Sequence, residues 1–158
     1  MSGYNRDMKK LTCIIVSLLL AIGVVAPVAA CTPAGNSPSS AASASIVESG
    51  EYTDKDSVAD YIHLYGHLPG NYVSKTKARE AGWSSTEGNL RDVLPGKSIG
   101  GSEFYDDDDQ LPDAPGRRWT ECDIDYSGGY RNGKRIVFSN DGLIYYTADH
   151  YKTFERLY

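Results

Sequence analysis

Three stretches of the chain place groups able to move protons beside groups able to hold an anion. In RWTECDIDY, Arg118 to Tyr126, the two-residue period of a strand puts Trp119, Glu121, Asp123 and Asp125 on one face. Thr120, Cys122, Ile124 and Tyr126 fall on the other, which reads as the core side. A face carrying three acids has two explanations: the acids are solvated surface groups, or they are held there for use. Downstream, GGYRNGKRIVF brings Arg131 and Arg135 around a hairpin-like turn, within reach of that face. The two guanidinium groups either close a structural ion network with Glu121 and Asp123 or offer their planar donor forks to a phosphate. LIYYTADHY then delivers His150 at the end of the next strand. One carboxylate, one imidazole and two or three cations are what phosphodiester cleavage without a metal needs. The carboxylate takes a proton from a ribose 2′-hydroxyl, the imidazolium gives one to the leaving 5′-oxygen, and the cations hold charge on the phosphoryl oxygens.

The elements that position these groups can be read from periodicity and turn chemistry. Thr53 or Asp54 caps a helix in which Val58, Tyr61, Ile62 and Tyr65 share a face, ending before Gly66 and Pro69. Ser74 opens a short second helix, KTKAREAG, stopped by Gly82, and a third turn lies at Asn89–Val93. Beyond Lys97 the pattern changes to strands: SIGGSEF, RWTECDIDY, KRIVFS, LIYYTAD and TFERL, separated by Gly128-Gly129, Asn132-Gly133 and Asn140-Asp141-Gly142. Helices followed by closely connected strands predict an α+β fold, with N-terminal helices packed on a C-terminal antiparallel β-sheet.

The first thirty residues stand apart. Arg6, Lys9 and Lys10 precede LTCIIVSLLLAIGVVAPVAAC, an apolar run with a small-residue exit, which reads as a secretory signal peptide over residues 1–30. Val28-Ala29-Ala30-Cys31 resembles a bacterial lipoprotein cleavage site, so lipidation of Cys31 is expected, with ordinary secretion as the alternative. Residues 31–47 are rich in Ser, Ala and Pro and read as a flexible tether. The compact domain is expected at 48–158. Only Cys122 remains there, too few for an internal disulfide, and its alternating neighbours mark it as a small buried residue. Trp83 and Trp119 read as packing residues, and His63 and His67 as surface residues near the first helix end.

The chain carries 16 basic and 21 acidic side chains, a formal −5. Without the three bases and one acid of residues 1–30, 13 basic face 20 acidic groups. That is the wrong sign for a general nucleic-acid binder. Any action on nucleic acid must rest on a local basic site.

From about Val58 to Phe154 the chain closely resembles the bacterial extracellular guanyl-preferring ribonucleases of the barnase/binase family. The resemblance is carried by VADYI, HLPGNYVSK, GNLRDVLPGKSIGG, RRWTECDIDY, YRN, KRI and DGLIYYTADHYKTF. It implies Glu121 as general base, His150 as general acid, and Lys75, Arg131 and Arg135 as cations on the phosphate. It implies Tyr151 as a substrate contact, Asp123 as the aspartate that holds the arginines, and Arg117 with Asp141 as a structural ion pair. It also implies single-stranded RNA as substrate, no metal or organic cofactor, a monomer, and a barstar-like proteinaceous inhibitor as partner. The location implied by the leader is extracellular, free or anchored to the membrane only through lipid at Cys31.

One stretch departs from the family. The guanine-reading loop aligns with YDDDDQL, Tyr105 to Leu111. Phe104 fits the stacking position, Asp108 falls where the family has glutamate, and Asp107 where it has arginine. Asp108 either accepts from the guanine edge, or the run repels the RNA backbone, binds a divalent ion, or is a solvated loop.

Overall fold

The computed structural model describes residues 45–158. The expected signal peptide, Cys31 and the tether as far as residue 44 lie outside the described residues. The elements are α1 (Lys55–Tyr65), β1 (Tyr72–Val73), α2 (Lys75–Glu80), α3 (Leu90–Val93), β2 (Ser98–Phe104), β3 (Trp119–Asp123), β4 (Arg135–Ser139), β5 (Ile144–Thr147) and β6 (Glu155–Arg156). Among the described residues no helix is long and apolar enough to cross a membrane.

The six strands form one sheet in chain order, β1 to β6. From β2 onward all neighbours are antiparallel, as expected. β1 runs parallel to β2, with Tyr72 opposite Ser98 and Val73 opposite Ile99, so the sheet is mixed. Two residues between Gly70 and a helix cap carry no periodicity to read. The parallel sense follows because the chain returns through α2 and α3 before β2, a crossover rather than a hairpin.

The caps of α1 explain its length. The Asp54 side chain accepts from the Ser57 N–H at 2.9 Å, one of the donors that a helix start leaves unsatisfied. At the other end Gly66 takes a left-handed conformation, φ 73°, and its N–H returns to the Ile62 carbonyl. That conformation costs glycine little and a residue with a Cβ more. Val58, Ala59 and Ile62 of α1 then bury against Cys122, Ile124, Ile136, Phe138 and Ile144. Each fully buried aliphatic side chain there contributes about 1.5–3 kcal/mol. Cys122 is 1% exposed, and burial pushes its thiol pKa up.

The helix-free side of the same strands holds a second cluster, Leu111, Trp119, Val137 and Tyr145, flanked by Phe104, Tyr151 and Phe154. α2 and α3 close a third one, around Ala78, Trp83, Leu90 and Ile99. Both tryptophans are packing residues, as expected, and His63 and His67 are exposed.

The acidic face of β3 departs from the simplest expectation. Glu121 is 7% exposed and Asp123 2%, so these acids are buried rather than solvated. Asp125 does not continue the face. The strand ends at Asp123, Asp125 takes φ 55°, and its carboxylate meets Lys134 at 2.7 Å on the surface.

Candidate active site

Strand register decides which charges meet. Asp123 of β3 lies opposite Arg135 of β4, and Arg135 opposite Thr147 of β5. One step away Glu121 lies opposite Val137, and Val137 opposite Tyr145. Directly paired residues point to the same side of a sheet, so Glu121, Asp123 and Arg135 share the side that α1 leaves uncovered. Lys75 reaches the same place from the first residue of α2. Its position is fixed by Ser74, which caps the helix by accepting from the Lys77 N–H.

Glu121 has a donor on each carboxylate oxygen. Lys75 Nζ stands 2.6 Å from Oε1, and the Tyr151 hydroxyl donates to Oε2. Burial pushes the Glu121 pKa up, but the hydrogen bonds from Lys75 and Tyr151 and the charges of Lys75 and Arg131 more than offset it. The net result lies below the ordinary glutamate value. Burial, then the bond to Glu121, pushes the Tyr151 phenol up, so it stays protonated and donates.

Asp123 is gripped by both arginines. Arg131 binds it through Nε and Nη2, each at 2.6 Å, a two-point fork. Arg135 Nε lies 3.0 Å from Asp123 Oδ1, yet its N–H is not aligned with that oxygen and is buried without a hydrogen-bond partner. The pair is a charge contact rather than a hydrogen bond, because alignment governs the latter. Nη1 of Arg135 is spent on the carbonyls of Asn132 and Lys134. An unpaired donor on a side chain only 2% exposed is uncommon in folded proteins.

His150 is presented by strained backbone. It and Tyr151 have φ of 58° and 70°, a conformation that costs non-glycine residues about 1–3 kcal/mol each. The strain is held by a local cage. The His150 N–H donates to Gly133 O at 3.0 Å, and the Tyr151 N–H to the Thr147 hydroxyl at 3.0 Å. Asp149 accepts from the Thr147 and Thr153 hydroxyls and from the N–H groups of Lys152 and Thr153. The Thr153 hydroxyl and N–H foremost among these hold its pKa down to about 2. Asp149 and Thr147 were not singled out in the sequence. The signal for them was in TADHYKT itself, where an aspartate sits two residues after one threonine and four before another, the spacing of side-chain-capped turns.

The exposed His150 ring separates two cavities. One, of about 220 Å³, is lined by Trp83, Tyr130, Arg131 and Arg135 among others. The other, of about 470 Å³, is lined by Phe104, Asp106, Asp107, Asp108, Tyr151 and Lys152. The rings of Phe104 and Tyr151 lie 5.0 Å apart. Within the acidic loop the four aspartates are not equivalent. Asp106 accepts from the Gln110 and Leu111 N–H groups and holds the loop closed, whereas Asp107 and Asp108 stand exposed at the cavity. Gln110 ties the loop to the Tyr151 carbonyl at 3.1 Å. Among the described residues no group of three or more His, Cys, Asp or Glu side chains is placed to hold a metal ion, this loop included.

Arg117 and Asp141 meet at 2.6 Å, at the opposite end of β3 and β4 from the Asp123 and Arg135 pair. Arg117 also lies over the Trp119 ring. A larger cleft of about 600 Å³ lies on the α1 side, between Gly66 and Gly142. None of the proton-transfer or phosphate-binding candidates lines it, so size does not mark the site here.

A ribonuclease family model matches residues 55–158. A ribonuclease of Heyndrickxia coagulans is 52% identical over 102 residues, which cover 65% of this chain and 94% of that protein. Ribonucleases of Bacillus intermedius and Bacillus pumilus are also 52% identical over 102 residues, covering 65% of this chain but 63% of theirs.

Proposed function

The chain belongs to this bacterial ribonuclease family, of barnase/binase type, and from that premise we propose that it is an extracellular endoribonuclease acting on single-stranded RNA by transphosphorylation. The observation that carries the reading is the convergence on one side of the sheet: an ionised buried carboxylate, an exposed imidazole, and an arginine with a buried N–H left unpaired. Arg131 and Arg135 line one cavity with His150, where their charge suits a phosphoryl oxygen.

In this mechanism Glu121 takes the proton of the ribose 2′-hydroxyl, whose oxygen forms a bond to phosphorus. The bond from phosphorus to the 5′-oxygen breaks, and protonated His150 supplies the proton that the leaving oxygen needs. The products are a 2′,3′-cyclic phosphate and a free 5′-hydroxyl. Hydrolysis of the cyclic ester reverses the roles, with His150 activating water. Lys75, Arg131 and Arg135 hold charge on the phosphoryl oxygens as it grows. The low pKa of Glu121 keeps it ionised at neutral pH, ready to accept. The 2′-hydroxyl replaces one of the donors that Glu121 now holds. No metal takes part in these steps.

The base 5′ to the cut enters the Phe104 cavity, stacks on that ring and meets Asp108. A guanine edge offers two hydrogens to such an acid. The leader supports export, with lipid on Cys31 as anchor and the ribonuclease domain at 48–158 outside the membrane. A barstar-like inhibitor fits the same cationic groups, and the domain works as a monomer.

Cleavage of GpA, ApA, UpA and CpA in EDTA tests the reading, with His150→Ala as control. Rapid GpA cleavage that the control loses is expected. Equal rates for all four would keep the chemistry and remove guanine recognition by Asp108. A folded protein that cuts none of them would leave only a binding module on this fold.

A further inference from the structure

The chain entering β4 carries Arg131 just before Asn132 and Arg135 three residues after it, and the Asn132 side chain ties this stretch together. Its carbonyl oxygen accepts from the Lys134 N–H at 2.8 Å, the turn that asparagine forms with backbone two residues on. Its amide nitrogen reaches across the loop and donates to the carbonyls of Ile124 at 2.9 Å and Asp125 at 3.0 Å. One side chain therefore joins the stretch entering β4 to the stretch leaving β3. Asp125 is held there in the left-handed conformation, φ 55°. The Ile124 N–H closes the neck of the loop on the Lys134 carbonyl at 3.1 Å. Both amide hydrogens and the side-chain oxygen of Asn132 are engaged, although the residue is exposed. Apolar packing gives no reason for an asparagine here; the hydrogen bonds do.

The backbone of the same turn grips two groups assigned to the reaction. Nη1 of Arg135 donates to the carbonyls of Asn132 at 2.7 Å and Lys134 at 2.6 Å. Both carbonyls come within reach of one nitrogen because the turn at Asn132 folds the backbone between them. A guanidinium is planar, so fixing Nη1 sets the plane that Arg135 presents. The carbonyl between these two, on Gly133, accepts the His150 N–H at 3.0 Å and supports the strained backbone beneath the imidazole. Asn132 lines the cavity with Arg131, Arg135 and His150, but its amide is spent on the protein, so it acts through the groups it holds. We propose that Asn132 is a positioning residue for phosphodiester cleavage, fixing the Arg135 guanidinium and the His150 imidazole relative to each other. The inference rests on the ribonuclease reading above.

The split between kcat and KM separates this role from a merely structural one. The full chain is assayed on the best cleaved of GpA, ApA, UpA and CpA, below each variant's thermal midpoint, with rates per folded molecule. Asn132→Ala removes both the turn and the clamp across the loop. Its kcat should fall by about ten- to a hundredfold with KM nearly unchanged, because the cations stay near the phosphate but lose their aim at the growing charge. Asn132→Asp keeps the acceptor for the Lys134 N–H and loses the two donors, so it should recover part of the loss. Ile136→Ala, destabilised on the apolar face, should keep kcat and so separates lost stability from lost aim. A lower midpoint in the Asn132 variants with wild-type kcat would overturn the proposal, as would a raised KM at unchanged kcat. If Asn132→Ala does not fold, Asn132→Asp decides by the same criteria. A wild-type chain that cleaves none of the four would remove the ribonuclease reading and this inference with it.

Discussion

The two faces of the central strands are both buried, but by different means. Toward α1, Ile124, Ile136, Phe138 and Ile144 close a contiguous apolar cluster. On the other side the same strands turn Glu121, Asp123 and Arg135 inward, each under a tenth exposed. The apolar face is held by area removed from water, which has no direction. The polar face is held by aligned donors and acceptors, and its ions lose hydration that their pairing returns only in part. One face therefore serves stability, and the other gives up stability for a fixed arrangement of charge.

Replacing groups on each face should break or sharpen that contrast. The largest effect is expected from Glu121→Gln. The amide cannot take the 2′-hydroxyl proton, so kcat should fall by about 10²–10⁴-fold, measured on a dinucleoside phosphate. The thermal midpoint should hold or rise, because a buried charge is gone and Lys75, 31% exposed at its side chain, can rehydrate. A large drop in midpoint would mean that Glu121 is a structural ion first.

Next come the two faces compared at matched depth. Asp123→Ala leaves Arg135 buried without its counter-charge and should destabilise by about 3–5 kcal/mol. Ile136→Ala on the apolar face should destabilise by a similar 2–5 kcal/mol or so, through lost transfer energy and the cavity left behind. Denaturant titration gives both numbers, and activity per folded molecule separates them. Ile136→Ala should keep it and Asp123→Ala should lose it, since Arg131 and Arg135 lose the anchor that aims them.

The smallest effect is acid lability. Asp141, held by hydrogen bonds from Arg117 and Ser139, and Asp149, held by its turn, both have pKa values brought down to about 2. Ordinary aspartate titrates near about 3.9. A folded pKa below the unfolded one gives stability that is fully present above the unfolded value and is lost as pH falls through the folded one. The thermal midpoint should therefore decline between about pH 4 and pH 2. Asp149→Asn should flatten that decline. An unchanged slope would remove the Asp149 turn from the stabilising set.

Much of the fold was legible in local signals. The cap at Asp54, the stop at Gly66, the cap at Ser74 and the full span of β2 follow from residue chemistry within one turn or strand. β1 was not legible, because two residues have no period and gain their strand character only from β2 beside them. The end of β3 was overrun by three residues, since alternation continues in the letters through Tyr126 after the backbone has turned at Asp125.

The sequence by itself determined the inventory: alternation put Glu121 and Asp123 on one side, and turn residues placed Arg131, Arg135 and His150 near a common strand end. Those are short-range facts, set by backbone periods and by side chains that bond within a few residues. The tertiary structure decided the rest. It buried acids that a lone strand would leave in water and left one arginine donor unpaired. It closed the turn that holds His150 in a strained conformation. Each of these depends on strand register and on loops meeting across the sheet, where partners far apart in the chain set the local dielectric and the available hydrogen bonds, so no single stretch of sequence contains them.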